Sequence, residues 1–270
     1  MQIRPLQRAD LAAAIDIVSA NGWASVPEQF AFQIDHPDCH QFVGEEAGQI
    51  VATAVATQRG TVGWIGQITV RPEFRGRGLG TAITRHTMNV LTALGCRTLL
   101  LFATEMGRPI YEKLGFAVES EFVVWTGPSL PALPVHSLLR PLGPADLDWI
   151  CALDRRALGE DRSAQLRAFG RTGWVFGPDQ GFLIPTPWGA QVISAATAEA
   201  GRTLLEVARA TKHAEPDGVR IVLPSANRPG ANYVVSQGFK QTARLPRMLI
   251  GQPLYWEPDL VFGRMSGALG

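Results

Sequence analysis

Apolar positions along the chain recur at helical spacing in some stretches and in strand-like runs between them. Leu11, Ala14, Ile15 and Val18 form the stripe of a helix that starts at Asp10, runs to about Ala20 and stops at Asn21-Gly22. Gln2 to Leu6 reads as a strand before it, and Pro27 to Asp35 as a second short helix offering Phe30, Phe32 and Ile34 for burial. After His36-Pro37-Asp38, the runs Gln41 to Glu46 and Ile50 to Gln58 read as a hairpin around Ala47-Gly48-Gln49. Trp64 to Val70 is the next strand. Leu79, Ile83, Val90, Leu91 and Leu94 then mark a helix from Gly78 to Leu94, ended by Gly95. Thr98 to Phe102 is a short buried strand, Arg108 to Leu114 a short helix closed by Gly115, and Ala117 to Trp125 another strand.

Pro128, Pro131 and Pro134 then stiffen Thr126 to Val135, which reads as a linker. Beyond it the pattern starts again. Leu139-Arg140-Pro141-Leu142-Gly143-Pro144-Ala145-Asp146-Leu147 echoes Ile3-Arg4-Pro5-Leu6-Gln7-Arg8-Ala9-Asp10-Leu11. Near the far end of each half, Asn227-Arg228-Pro229 and Gln237-Gly238-Phe239 echo Gly107-Arg108-Pro109 and Leu114-Gly115-Phe116. Two echoes in the same order indicate a duplicated domain. The expected division is 1–126, a linker over 127–135, and 136–270. In the second half, Gly173 to Phe176, Gly181 to Ile184, Ala190 to Ser194, Val219 to Leu223 and Lys240 to Ile250 read as strands, and Ala198 to Lys212 as a helix. Leu254, Tyr255, Trp256, Leu260, Val261 and Phe262 make the tail from Gln252 to Gly270 too apolar to stay free, so it is expected to dock.

Candidate chemistry concentrates between the strand ending at Val70 and the helix after it. Gly76, Gly78 and Gly80 sit at every second position of this strand-to-helix turn, flanked by Arg75 and Arg77. Glycine permits positive φ and close ligand approach, and a helix start presents free N–H groups and the positive end of its dipole. That combination suits a phosphate or pyrophosphate; an ordinary tight turn is the plain alternative. The G-x-x-x-x-G-K-[ST] and G-x-G-x-x-G patterns are both absent. Arg-x-x-Gly-x-Gly is present from Arg75 to Gly80, preceded by Val70-x-Pro72, and Tyr111-Glu112-Lys113-Leu114-Gly115-Phe116 follows downstream.

These two motifs resemble the acetyl-CoA loop and the late tyrosine turn of the GNAT family of N-acetyltransferases. The resemblance implies an α/β protein of two tandem GNAT-like units, each a mixed α+β sheet covered by helices. It implies acetyl-CoA as cosubstrate and no metal. Cofactor contacts would come from the strand end Ile68, Thr69 and Val70 and from the loop Arg75, Gly76, Arg77, Gly78, Leu79, Gly80 and Thr81. Thr104 stands where the family often has an asparagine, seven positions before the tyrosine. Tyr111 matches the family's general acid; its alternative role is packing. The implied reaction moves acetyl to the amine of a small molecule or amino acid derivative. Alternatives are a protein N-terminus or lysine as acceptor, or a non-enzymatic acyl-CoA sensor. Glu28, Asp35, His36, Asp38, His40 and Glu105 are candidate bases among which the sequence does not choose, and the strand before the loop carries Gln67 in place of a carboxylate. The second half lacks the loop: Ser194 to Gly201 has one glycine and places Glu199 where a pyrophosphate would be repelled. It resembles a subset of bacterial GNAT proteins with one intact and one degenerate unit, so one cofactor per chain is expected.

Charge and composition narrow the partners. A net charge of +1 over 270 residues argues against a broad nucleic-acid footprint. No apolar run approaches membrane-spanning length and Met1 to Pro5 has no signal-like core, so a cytoplasmic protein without membrane association is expected. Cys39, Cys96 and Cys151 fit neither a disulfide framework nor a zinc site and are expected to be buried. His86 is expected at the surface, His136 and His213 have no evident partner, and Trp23 belongs with the packing tryptophans. Oligomeric state is not encoded in any of these patterns.

Overall fold

A computed structural model describes residues 1–22, 27–211 and 218–270. Trp23, Lys212 and His213 lie outside the described residues. The chain packs as two compact units. The first comprises Met1–Glu119, Arg247–Pro253 and Ser266–Gly270, and the second Ser120–Pro246 and Leu254–Met265. Two stretches from the far end of the chain therefore belong to the first unit, although the expected division at 126 and 136 places them in the second.

In the first unit, β1 (Gln2–Pro5), α1 (Leu11–Ala20), α2 (Pro27–Asp35), β2 (Cys39–Glu46), β3 (Gln49–Arg59), β4 (Val62–Val70), α3 (Leu79–Ala93), β5 (Thr98–Phe102) and α4 (Arg108–Lys113) follow in order. Strands β1 to β4 form an antiparallel meander, and β5 lies parallel to β4 across the α3 crossover. Arg247 to Gly251 pair antiparallel with the other side of β5. The strand period of two sorts the side chains between faces. Phe42, Ala52, Ala54, Ala56, Ile65, Leu99 and Leu101 pack with Ile83 and Leu91 of α3. Val43 packs on the opposite face with Ala14 and Val18 of α1 and Phe30 of α2. Helices thus cover both faces of a mixed sheet.

The second unit contains most of β6 (Ala117–Gly127), then β7 (Leu139–Pro141), α5 (Leu147–Leu158), α6 (Ser163–Phe169), β8 (Trp174–Phe176), β9 (Gly181–Pro185), β10 (Gln191–Ala195), α7 (Ala198–Thr211), β11 (Val219–Pro224), α8 (Arg228–Ser236), the first part of β12 (Lys240–Gly251) and β13 (Val261–Gly263). Strands β13, β10, β9, β8 and β7 form an antiparallel sheet in that order, and β11 pairs antiparallel with β6. Helices α5 and α6 fill a stretch to which the hydrophobic pattern alone assigned no element. Helix α5 buries Ile150, Cys151, Leu153, Asp154, Ala157 and Leu158, and the buried carboxylate in that stripe weakens its apolar signature.

The sequence echoes are echoes of structure. Arg4 grips both oxygens of Asp10 at 2.6 and 3.1 Å, and Arg140 grips both of Asp146 at 2.7 and 2.8 Å. Each aspartate also accepts a backbone N–H three residues upstream, from Gln7 and from Gly143, both at 2.8 Å. The clamp fixes the entry to the first helix of each unit. At the far end, Phe116 N–H reaches Tyr111 O and Phe239 N–H reaches Val234 O, both at 3.0 Å, after Gly115 at φ +96° and Gly238 at φ +78°. The arginines hold both aspartates below the usual carboxylate range. A depressed carboxylate stabilises the fold above its unfolded value of about 4 and loses that contribution as pH falls through the lower folded value. Asp146→Asn should therefore lower the urea midpoint at neutral pH and flatten its decline below about pH 4, as measured by tryptophan fluorescence.

The tail docks as its apolar content predicts. Leu260, Val261, Phe262 and Met265 are buried in the second unit, where Trp256 stacks on Phe122 at 5.9 Å. Ala268 and Leu269 are buried in the first. All three cysteines are free and buried. Among the described residues, no helix is long and apolar enough to cross a membrane.

Candidate active site

The site begins with a break in the sheet. Register between β3 and β4 passes from Thr53↔Thr69 to Val55↔Gly66, which gives β4 one residue more than β3. This bulge puts Gln67 at φ +50°, a left-handed conformation that is uncommon outside glycine. Thr53 holds it: its hydroxyl donates to Gln67 O at 2.9 Å and also meets the Thr69 hydroxyl. On its other edge, β4 pairs with β5 only as far as Ile65↔Leu101. From Gly66 and Phe102 onward the two strands part, beside a bulge that frees main-chain groups from the ladder.

The cavity that opens there has a volume of about 840 Å³. It is lined by Ile68, Thr69 and Val70 of β4, by Arg75, Gly76, Gly78, Leu79, Gly80 and Thr81 of the loop, and by Thr104 and Tyr111. Every expected site residue is brought to it except Arg77. That arginine turns away to Glu46 at 2.7 Å and lies over the Phe74 ring at 5.4 Å. Arg75 remains at the cavity and donates to Asn21 Oδ1. Gly76 and Gly78 take φ +74° and +76°, so the turn itself demands glycine at both. The first α3 hydrogen bond runs from Ala82 N–H to Gly78 O at 3.0 Å. The amides of Leu79, Gly80 and Thr81 are the first N–H groups of the helix start, and all three residues line the cavity.

Opposite the loop, α4 carries Tyr111. The ring is buried, meets Phe116 edge-on at 6.2 Å and rests against Gly107. A Cβ at Gly107 would lie 2.8 Å from Tyr111 Cε2, so glycine there makes the seat for the ring. Burial pushes the phenol pKa up to about 12, because the anion would lose its hydration. It is therefore a proton donor throughout the neutral range. The Thr104 hydroxyl accepts the Gly107 N–H at 3.1 Å and keeps its own hydrogen to donate. Met106, 66 % exposed, stands at the cavity's edge.

Of the candidate bases, Glu105 lines this cavity. Asp35 pairs with Arg8, and His36 lies near Asp38 at 3.8 Å with its pKa lowered by burial. His86 packs edge-on against Phe42. Thr53, Gln67 and Gly107 are site-shaping residues that the sequence did not reveal. A bulge leaves no mark in a run of β-formers, and Gly107 stands out in the sequence only as part of the repeat, not as the seat of a ring.

The second unit builds its corresponding turn differently. Gly201 has no positive φ; a Cβ there would collide with the Phe262 ring, so this glycine makes room for packing. Glu199 lies in the first turn of α7 and pairs with His136 at 3.4 Å. A cavity of about 710 Å³ nearby is lined by Glu199, Arg202, Glu206, Tyr233 and Gln237 among others, a mixed-charge set unlike the glycine loop. The Tyr233 hydroxyl accepts from buried Arg209 at 2.8 Å and is committed to the core.

The stretch that builds this site is similar to known proteins. Residues 13–116 match the model of the acetyltransferase (GNAT) family. Over 81 residues, 29 % of this chain, the sequence is 36 % identical to glucosamine 6-phosphate N-acetyltransferase of Trypanosoma brucei brucei, and the match spans about half, 55 %, of that protein. The fold is similar over the whole chain to a candidate acetyltransferase of Pyrococcus horikoshii, with TM-score 0.85, 20 % identity and 95 % of that chain covered. It is also similar to a tandem GNAT protein from the clavulanic acid biosynthesis pathway, with TM-score 0.66, 14 % identity, and 93 % of this chain and 99 % of that one covered. At these identities the structural likeness speaks for fold alone. The expected α/β fold of two tandem GNAT-like units is the observed one, and residues 13–116, the stretch that holds the glycine loop and Tyr111, match the GNAT family of acetyltransferases.

Proposed function

We propose that the first unit binds acetyl-CoA and transfers its acetyl group to the amine of a small molecule or amino acid derivative. One observation carries this proposal: a single cavity joins a strand bulge, a glycine-lined helix start and a buried, protonated tyrosine. The residues suit the cosubstrate. Free amides of Leu79, Gly80 and Thr81 with Arg75 match a pyrophosphate, and the space between Ile68–Val70 and Phe102–Thr104 matches a narrow arm. Acetyl-CoA supplies an activated thioester. In this reading a main-chain N–H at the Gln67–Ile68 bulge, outside the regular β3–β4 ladder, polarises the thioester carbonyl, the contribution that usually dominates acyl transfer. Tyr111 holds the proton that a departing thiolate takes up. The amine's own proton passes to water or to Glu105 at the cavity edge. The relative's name, a glucosamine 6-phosphate N-acetyltransferase, supports an amine acceptor.

Thiol release from acetyl-CoA over a panel of amino sugars, amino acid derivatives and simple alkylamines tests the proposal. Amine-dependent release is expected. Tight cofactor binding without release on any amine would favour a sensor. We also propose that one cofactor binds per chain, since Glu199 and the glycine-poor turn of the second unit disfavour an anion. A carboxylate about 4 Å from an anion costs on the order of 1–4 kcal/mol, depending on the effective dielectric. Calorimetric titration should give a stoichiometry near one, and a value near two would contradict this.

A further inference from the structure

We infer that Asn21 is a positioning residue for the cofactor: it holds the Arg75 guanidinium at the glycine loop and leaves its charge intact for the pyrophosphate. The inference rests on the cofactor reading proposed above. The sequence marks Asn21-Gly22 as the stop of α1, and the Asn21 N–H does cap that helix, reaching Val18 O at 3.2 Å. Asn21 has a second place, in the lining of the cofactor cavity.

Its side chain joins three elements. Asn21 Nδ2 donates to Ile17 O of α1 at 2.7 Å and to Val70 O, at the end of β4, at 3.2 Å. Asn21 Oδ1 accepts from Arg75 Nη2. Two carbonyls and a guanidinium leave one way to set the amide, nitrogen toward the carbonyls and oxygen toward the arginine. A hydroxyl has one hydrogen for two carbonyls, and alanine has none. Arg75 spends one guanidinium hydrogen on Asn21 and keeps the others for phosphate oxygens, in the planar fork that suits them.

The neighbouring arginines show why an amide stands here. Arg71 donates to Asp16 Oδ2 and Arg77 to Glu46 Oε2, both at 2.7 Å. Each ends on a carboxylate and lies outside the cavity lining. Arg75 is in that lining, and among the described residues no carboxylate pairs with it. A carboxylate at position 21 would hold the guanidinium too, but it would neutralise the cation and repel the anion that the loop is to bind. The neutral amide fixes direction alone. A long side chain held this way has less freedom to lose when the cofactor arrives.

Calorimetric titration of the full chain with acetyl-CoA, over a double-mutant cycle, tests this. Asn21→Ala should raise the Kd about fivefold when Arg75 is present and less than about 1.5-fold in the Arg75→Ala background, because its effect passes through the guanidinium. The lost bonds to Ile17 and Val70 act in either background, so equal fold-losses would make Asn21 a structural residue and overturn the inference. Arg75→Ala binding as tightly as the wild type would also sink it, while leaving the cofactor on the loop amides. A folded wild type that does not bind acetyl-CoA would remove the cofactor reading itself. Should Asn21→Ala not fold, Asn21→Asp carries the test alone, since it keeps an acceptor for Arg75 and adds a charge. Its Kd should rise at least tenfold at low salt, and the gap to the wild type should narrow at about 0.5 M salt as the added carboxylate is screened. An unchanged low-salt Kd, or a loss that salt does not narrow, would equally count against Asn21 as the holder of Arg75.

Discussion

Tyr111→Phe should lower kcat about a hundredfold and leave acetyl-CoA affinity near the wild-type value. The ring stays on its Gly107 seat and against Phe116, so packing is preserved and only the donor is lost. A hundredfold is about 2.7 kcal/mol of transition-state stabilisation, within the usual yield of one general acid. kcat and kcat/KM should fall together, because the proton is needed in the transition state and not in binding. Burial supplies a second check. With its pKa at about 12, the phenol keeps its proton far above neutrality. The wild type should show no alkaline decline from this group below about pH 10. The same burial favours the neutral form in the folded chain, so this residue's effect on stability appears only above the unfolded value of about 10, where rising pH weakens the fold. Wild-type turnover in the phenylalanine variant would reduce Tyr111 to a packing residue.

The parts of this site that were legible in the sequence are those in which one residue type has one physical use. Glycines at alternate positions between a strand and a helix have few purposes, and two of the three take positive φ. The Arg4–Asp10 and Arg140–Asp146 clamps were legible as a repeat because the same bidentate pair recurs at the same six-residue spacing in both halves. What remained hidden depends on long-range packing. The bulge at Gln67 is set by the Thr53 hydroxyl, fourteen positions away, and nothing in Ile-Gly-Gln-Ile-Thr-Val marks it. Gly66 reads as an ordinary strand residue until Ala268 is found against it. Arg77 illustrates the opposite case. Charge next to a glycine loop suggests a phosphate contact, yet Glu46 and the Phe74 ring hold this side chain away from the cavity.

The three loop glycines should separate by what each is for. Gly78 sits at φ +76° with no atom within 4 Å of an added Cβ, so Gly78→Ala meets no clash and loses only conformation. That cost is about 1–2 kcal/mol for an L-residue in the left-handed region. Gly80 is different: its φ is ordinary, and an added Cβ would lie 3.5 Å from Ile110 Cδ1 and 3.8 Å from Val70 Cγ2, both normal contacts. Gly80→Ala should therefore fold as well as the wild type or better, by up to about 1 kcal/mol, because alanine favours the first turn of a helix. Gly80→Trp keeps that backbone and fills the cavity beside the free amides of α3. Acetyl-CoA affinity should drop at least tenfold, about 1.4 kcal/mol, with the melting transition intact. Calorimetry with coenzyme A and with acetyl-CoA reads this directly. Undiminished affinity in a folded Gly80→Trp protein would place the cofactor elsewhere and remove the foundation of the proposed function.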